Sequence, residues 1–337
     1  MSVAFTLLVY AFAVLVLLIC LAALFGPWLT FALKGVELIS KKNFLNQLCR
    51  QTNRLNLWFG SLFAVMVLGA IFSGYFRLKG SLPPPEMIQG TIEGGFVVPP
   101  PVQNMTILTA CFALFVLLLV LGNFSWQRLR TRSFFQFIIF GLTAVTGCAA
   151  LITAFYVVME RPQILNSYYY LSIFTWTGSM FPFGAPSALS SSLMICKFLT
   201  AGLGISTAMS MCGLLIFRKR DDFGRDYYNF AVRHLSRWGL GCTVITLASG
   251  LGMMFLLQNI IGSRFDLGQS DIILISLIYA SCIVFYLTTM RSPTPMRHKA
   301  GIWISLLALL VAMLGHLIYV RSFFIATGMM SGLLPIN

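Results

Sequence analysis

Eight stretches of this chain run for about twenty residues or more with almost no charge, the length needed to cross some 30 Å of hydrocarbon. They cover approximately 3–33, 56–76, 105–126, 134–158, 191–217, 238–258, 271–290 and 301–320. Composition points the same way. The 337 residues are 58% hydrophobic and 9% charged, whereas soluble domains are about 45–50% apolar and about 25% charged. Such a chain needs lipid as its solvent. A soluble enzyme, a disulfide scaffold, a coiled coil and a disordered tail are excluded. The expected fold is an all-α polytopic integral membrane protein with about eight transmembrane helices. The first run exceeds what a crossing requires, so it should tilt, kink near Pro27 or project beyond the bilayer.

The 23 Lys and Arg outnumber the 9 Asp and Glu, giving a net charge of +14. Segments 34–54, 124–133, 218–237 and 291–300 together hold 17 of those cations. The alternate segments 77–104, 159–190, 259–270 and 321–337 hold 5. The positive-inside rule then places the first set in the cytoplasm and both termini outside. Nucleic acid is not an expected partner, since no basic stretch is long enough to fold as a module. Of the eight cysteines, seven lie inside apolar runs and none forms a CxxC pair. They read as small hydrophobes rather than as disulfides or metal ligands.

Two outer segments stand apart. Residues 77–104 carry Pro83-Pro84-Pro85 and Pro99-Pro100-Pro101, which favour a stiff polyproline II path. Residues 159–190 carry Tyr168, Tyr169, Tyr170, Phe174, Trp176, Phe181 and Phe183, rings that suit the headgroup level. Both offer docking surfaces for other membrane or periplasmic redox subunits, or form a lid and a belt with no ligand.

An internal duplication is expected at an offset of 179. Phe44 falls on Phe223, Arg54 on Arg233, Gly60 on Gly239, Val65 on Val244, Leu68 on Leu247 and Phe76 on Phe255. The chain thus divides into two similar four-helix halves, 1–160 and 161–337, in parallel orientation about an axis along the membrane normal. Small residues crowd the joint: Gly202, Gly204, Ser206, Ala208 and Ser210 in span five, and Gly239, Gly241, Ala248, Ser249, Gly250 and Gly252 in span six. These two spans should pack closely, or else the glycines clear room for a flat ring.

Ionisable residues within spans are functional suspects, and two fall there: Lys197 and His316. Both lie in the outer third of their spans, with Glu160, Arg161 and Arg321 at the outer boundary. Two readings stand. One is an outward-facing site for a quinone or anionic ligand, with Lys197 and His316 donating to its oxygens. The other is a pair of snorkelling cations with a hydrogen-bonded histidine. A haem is not expected, because His234 and His298 sit in or beside basic segments and leave His316 without a facing partner. A metal site and catalytic residues are not expected either. The spans carry no carboxylate away from their boundaries, which weakens a proton- or ion-coupled pump. Neither a P-loop nor an HExxH or GxSxG motif occurs.

In layout, with a basic Arg-containing segment leading into a glycine-punctuated span at Leu45–Phe76 and again at Arg225–Phe255, the chain resembles the bacterial membrane proteins related to subunit I of cytochrome bd quinol oxidases. That family carries an axial histidine early in its first span, where this chain has none before His234. The resemblance implies a divergent inner-membrane member without haem sites. It would support or anchor a quinone-linked electron-transfer complex as a non-catalytic subunit. A small-molecule permease working by rocking of two halves, or a structural assembly protein, is the alternative.

Overall fold

The computed structural model describes residues 3–81, 100–128, 133–159, 187–218, 223–261 and 269–326. The first proline triplet, the aromatic stretch from Tyr168 to Phe183, Glu160 and Arg161 lie outside these residues. The described chain is all-helical. It forms α1 (Val3–Ser40), α2 (Asn43–Ser81), α3 (Pro100–Arg128), α4 (Ser133–Met159), α5 (Ser187–Phe217), α6 (Arg225–Ile261), α7 (Gln269–Arg291) and α8 (Lys299–Ala326). A short 3-10 turn, Pro295–Arg297, precedes α8.

Among the described residues, five stretches are long and apolar enough to cross a membrane. These are Leu18–Ser40, Ile107–Trp126, Ser133–Ala150, Cys196–Phe217 and Ile272–Arg291. In α8, Lys299–Met313 is apolar but shorter. Leu114, Leu117, Leu121, Leu142, Val145, Leu274, Leu277 and Val284 all point outward and are exposed. So much outward apolar surface suits lipid rather than water.

Two expectations change here. The segments 34–54 and 218–237 are mostly helix rather than loop. α1 runs to Ser40 and α2 starts at Asn43, while α6 starts at Arg225. α1, α2 and α6 contain 38, 39 and 37 residues, so at about 1.5 Å per residue each exceeds the hydrocarbon thickness by many ångströms. α1 also continues through Pro27 as one helix, so its extra length is not taken up by a break at that proline. Lys41 closes it with a left-handed φ of 52°, its N–H donating to the Glu37 carbonyl at 2.7 Å. This is the αL ending that releases a chain into a sharp turn.

α1 packs on α2 and α4, and α3 packs on the same two helices. α5 packs on α6 and α8, and α7 packs on those two. The α5–α6 contact is the most extensive of all, as the small residues of both spans lead one to expect. α1 and α5 join the two sets, with lighter contacts from α2 to α5 and α6. Leu21, Ala23, Phe25, Leu29 and Leu33 of α1 are all almost completely buried. A largely apolar helix is at home in such a central place.

Ring-on-glycine contacts set the spacing. A Cβ on Gly202 of α5 would overlap the Phe25 ring of α1, and nearby Ser206 Oγ donates to the Leu21 carbonyl at 3.5 Å. By contrast, a Cβ on Gly241 would meet nothing within 4 Å. Gly202→Ala should therefore destabilise the protein by about 1–3 kcal/mol through overpacking, and Gly241→Ala should be neutral or slightly stabilising. Thermal unfolding of both variants in detergent checks this. Equal midpoints would show that the seam is not close-packed.

Candidate functional site

Lys197 lies in α5 and is only 8% exposed. Along that helix, residues 197, 200/201 and 204 recur at helical spacing and so share one face. Thr200, Ala201 and Gly204 line a cavity, which Ile205, Thr243, Thr246, Tyr279, Leu309 and Met313 complete. Four helices thus enclose it, α5, α6, α7 and α8. Its volume is about 220 Å³ with all gaps included, and its free centre admits roughly one water molecule.

Hydroxyls dominate its polar lining. Thr246 Oγ1 and Thr200 Oγ1 lie 2.8 Å apart, bridging α6 to α5. Thr200 donates back to the Cys196 carbonyl at 2.8 Å, and Thr243 to the Gly239 carbonyl at 2.7 Å. Donors spent on the helix itself leave oxygen lone pairs facing the cavity. Lys197 stands one turn away on the same helix face. The arrangement offers a cation beside a small hydroxyl-lined recess.

Of the other residues of the expected outer cluster, none has a side chain among the described residues. His316 falls within α8, one turn beyond Met313, and Arg321 falls further along the same helix. Glu160 and Arg161 lie outside the described residues. Among the described residues, no group of three or more metal-ligating side chains occurs.

A second polar cluster escaped the sequence reading. Lys34, counted there among basic loop residues, is 0% exposed. Its Nζ lies 2.9 Å from Glu37 Oε2, donates to Asn46 Oδ1 at 3.0 Å and to Ser133 Oγ at 3.4 Å. It also sits 5.1 Å from the centre of the Trp126 ring. Four helices, α1 to α4, hold this one ammonium group. Both Lys34 and Glu37 fall inside the apolar stretch Leu18–Ser40, so a carboxylate does lie within a candidate span. The available signal was the spacing Thr30, Lys34, Glu37 on α1 against Asn46, Asn53 and Asn56 on α2, each a stripe at helical period.

Compared with protein-family models, with curated proteins and with solved structures, the chain finds no match. Its chemistry must be argued from its own residues.

At the same end of the bundle, α2 meets α6. Tyr227, fully buried, donates its hydroxyl to Gln51 Oε1 at 2.6 Å and packs edge-on against Phe44. His234 stacks on Phe230 with ring centres 5.7 Å apart. Burial holds its imidazole below the ordinary value of 6.5, and the charges of Arg237 and Lys42 push it the same way.

Two predictions follow from these groups. Lys34→Met leaves Glu37 without its cation inside the bundle and should cost on the order of 3 kcal/mol, while Lys34→Met/Glu37→Met should recover most of that loss. Urea or thermal unfolding of both variants decides it, and a double variant no better than the single would remove the ion pair as the cause. For His234, the unfolded chain takes up a proton near 6.5 that the folded protein resists. Stability is therefore full above that pH and falls as pH drops below it. His234→Gln should flatten this slope, and an unchanged slope would assign it to other groups.

Proposed function

We propose that the chain crosses a bacterial inner membrane eight times, as two similar four-helix halves, and supports a quinone-linked electron-transfer complex as a non-catalytic subunit. The observation that carries this reading is the packing pattern. α1 to α4 and α5 to α8 repeat the same order of neighbours, and α1 and α5, equivalent in that repeat, form the seam. Parallel repeats of this kind relate their halves by an axis along the membrane normal. The layout in turn supports the likeness to proteins related to subunit I of cytochrome bd quinol oxidases.

A second reading is a small-molecule permease whose halves rock against each other. The seam favours the first. Phe25 is seated on the bare backbone of Gly202, and Tyr227 is hydrogen-bonded across from α6 to Gln51 of α2. Those contacts tie the halves into a single arrangement, which suits a rigid support better than a moving gate. Lys197 beside the hydroxyl-lined cavity supplies a polar recess in the second half in which a quinone oxygen or a small anion would find a donor.

Lys197→Leu and His316→Leu should slow respiration in the native host by several-fold while leaving the protein abundant in the membrane. Mild-detergent purification should bring cytochromes or iron–sulfur subunits down with the wild-type chain. Normal respiration in both variants, with a chain that purifies alone, would overturn the redox reading. Cysteine labelling from both membrane sides at residues between the halves would then favour the permease.

A further inference from the structure

The interior of the α1–α4 set carries polar groups in layers, running inward from the α1–α2 turn. Glu37, 12% exposed, stands at the rim. Below it come Lys34, Asn46 and Ser133, joined as described. Further in come Gln136 of α4, one turn past Ser133, and Asn53 of α2, level with Gly122 and Phe140; they are 1% and 2% exposed. Deepest are Thr30 and Asn56, both at most 3% exposed. Asn56 Nδ2 donates to Thr30 Oγ1 at 2.8 Å, and Thr30 Oγ1 donates to the Gly26 carbonyl at 3.1 Å. From Glu37 to Gly26 is eleven residues of α1, about 16 Å of helix, or half the hydrocarbon thickness.

All of these groups are matched internally except two. Asn53 Nδ2 and Gln136 Nε2 have no hydrogen-bond partner among the described residues. They come from α2 and α4, which lie diagonally across the α1–α4 set. Asn53 Nδ2 lies 3.7 Å from where a Gly122 Cβ would stand, beside the Phe140 ring, and Gln136 is one turn from Phe140 on α4. Phe140 itself stacks on Trp126, with centres 5.9 Å apart. A buried donor left unpaired costs about 1–3 kcal/mol, and two within about a turn of each other in one bundle interior call for an acceptor that enters from outside the chain.

We infer that these two donors bind water, and that Glu37, Lys34, Asn53 and Gln136 line a narrow aqueous recess open at the basic end of the bundle. Charge decides against an anion, because Lys34 is already matched by Glu37 at 2.9 Å and the two unspent groups are neutral carboxamides. Size decides against a larger carbonyl compound, since Phe140 and Trp126, at 1% and 8% exposure, close the space on one side. Water accepts from both carboxamides and can pass its own protons to neighbouring oxygens. The recess ends where Thr30, Asn56 and Gly26 satisfy one another. It lies in the first half, separate from the Lys197 cavity, and its side rests on the reading that the basic end faces the cytoplasm.

The test uses a cysteine-free full-length chain in membrane vesicles of either orientation, with single cysteines restored at chosen sites. Asn53→Cys and Gln136→Cys should be silvered or modified by a small charged methanethiosulfonate about tenfold faster than Ala144→Cys and Ala64→Cys, since thiolate chemistry needs water. Ala144 is 0% and Ala64 9% exposed, one turn or more deeper on the same faces of α4 and α2. Modification from the cytoplasmic side alone supports the recess and its orientation. From the opposite side alone, it would keep the recess and overturn the orientation. Four equal rates from either side would overturn the recess. Hydroxyl-radical labelling of the unmodified protein covers variants that fail to fold. Trp126 and Phe140 should be oxidised well above Phe115, which is 0% exposed, and equal oxidation of Phe140 and Phe115 would refute bound water.

Discussion

Helices in lipid gain nothing from hiding apolar surface from one another, so close approach and matched polar groups must hold them together. The seating of Phe25 on Gly202 does this at the centre of the molecule. α1 and α5 come near enough for a serine hydroxyl to meet the opposite helix's backbone, Ser206 Oγ on the Leu21 carbonyl. The remaining helices arrange themselves around that pair, α2 and α4 on one side and α6 and α8 on the other. A larger residue at position 202 would force these helices apart, and every contact built on their spacing would have to adjust.

Around this seam, polar groups are sorted by depth and by half. The α5–α8 set carries hydroxyls that satisfy their own helix carbonyls, with Lys197 one turn away. The α1–α4 set carries carboxamides and an ion pair that reach across four helices. Hydroxyls bonded to the preceding turn cost little to bury, and where one also meets another helix, as Thr246 meets Thr200, a single contact is made. Carboxamides and charges are more demanding, and the partners that Lys34 takes from other helices, Asn46 and Ser133, specify which helices are neighbours. The two sets are thus stabilised by different chemistry despite their similar packing order.

Much of the fold was legible in the sequence because the bilayer imposes a length rule that apolar runs reveal directly. The crowding of small residues in spans five and six likewise foretold their close contact. What the sequence reading missed follows from counting charge without periodicity. Lys34 stands next to the Lys41-Lys42 turn and was grouped with it as a loop cation, yet α1 continues six residues past it to Ser40. Its neighbours Thr30 and Glu37 recur at helical spacing, and that stripe marks a buried polar face. Of the expected outer cluster, only Lys197 has a described side chain. Nothing in the sequence indicated that its surroundings would be threonines of the next helix, because each Thr taken alone looks like an ordinary membrane-helix residue.

The two-residue turn between α1 and α2 bears on how this protein enters its membrane. Lys41 and Lys42 leave no slack, so α1 and α2 must insert as a single antiparallel hairpin. Within that hairpin Thr30 already has Asn56 and Lys34 already has Glu37 and Asn46. Its most costly polar groups are therefore paired before α3 or α4 has been synthesised, and Ser133 and the Trp126 ring arrive later. The first hairpin thus enters with its ion pair and its deepest polar pair already matched, leaving Gln51 to await Tyr227 of α6.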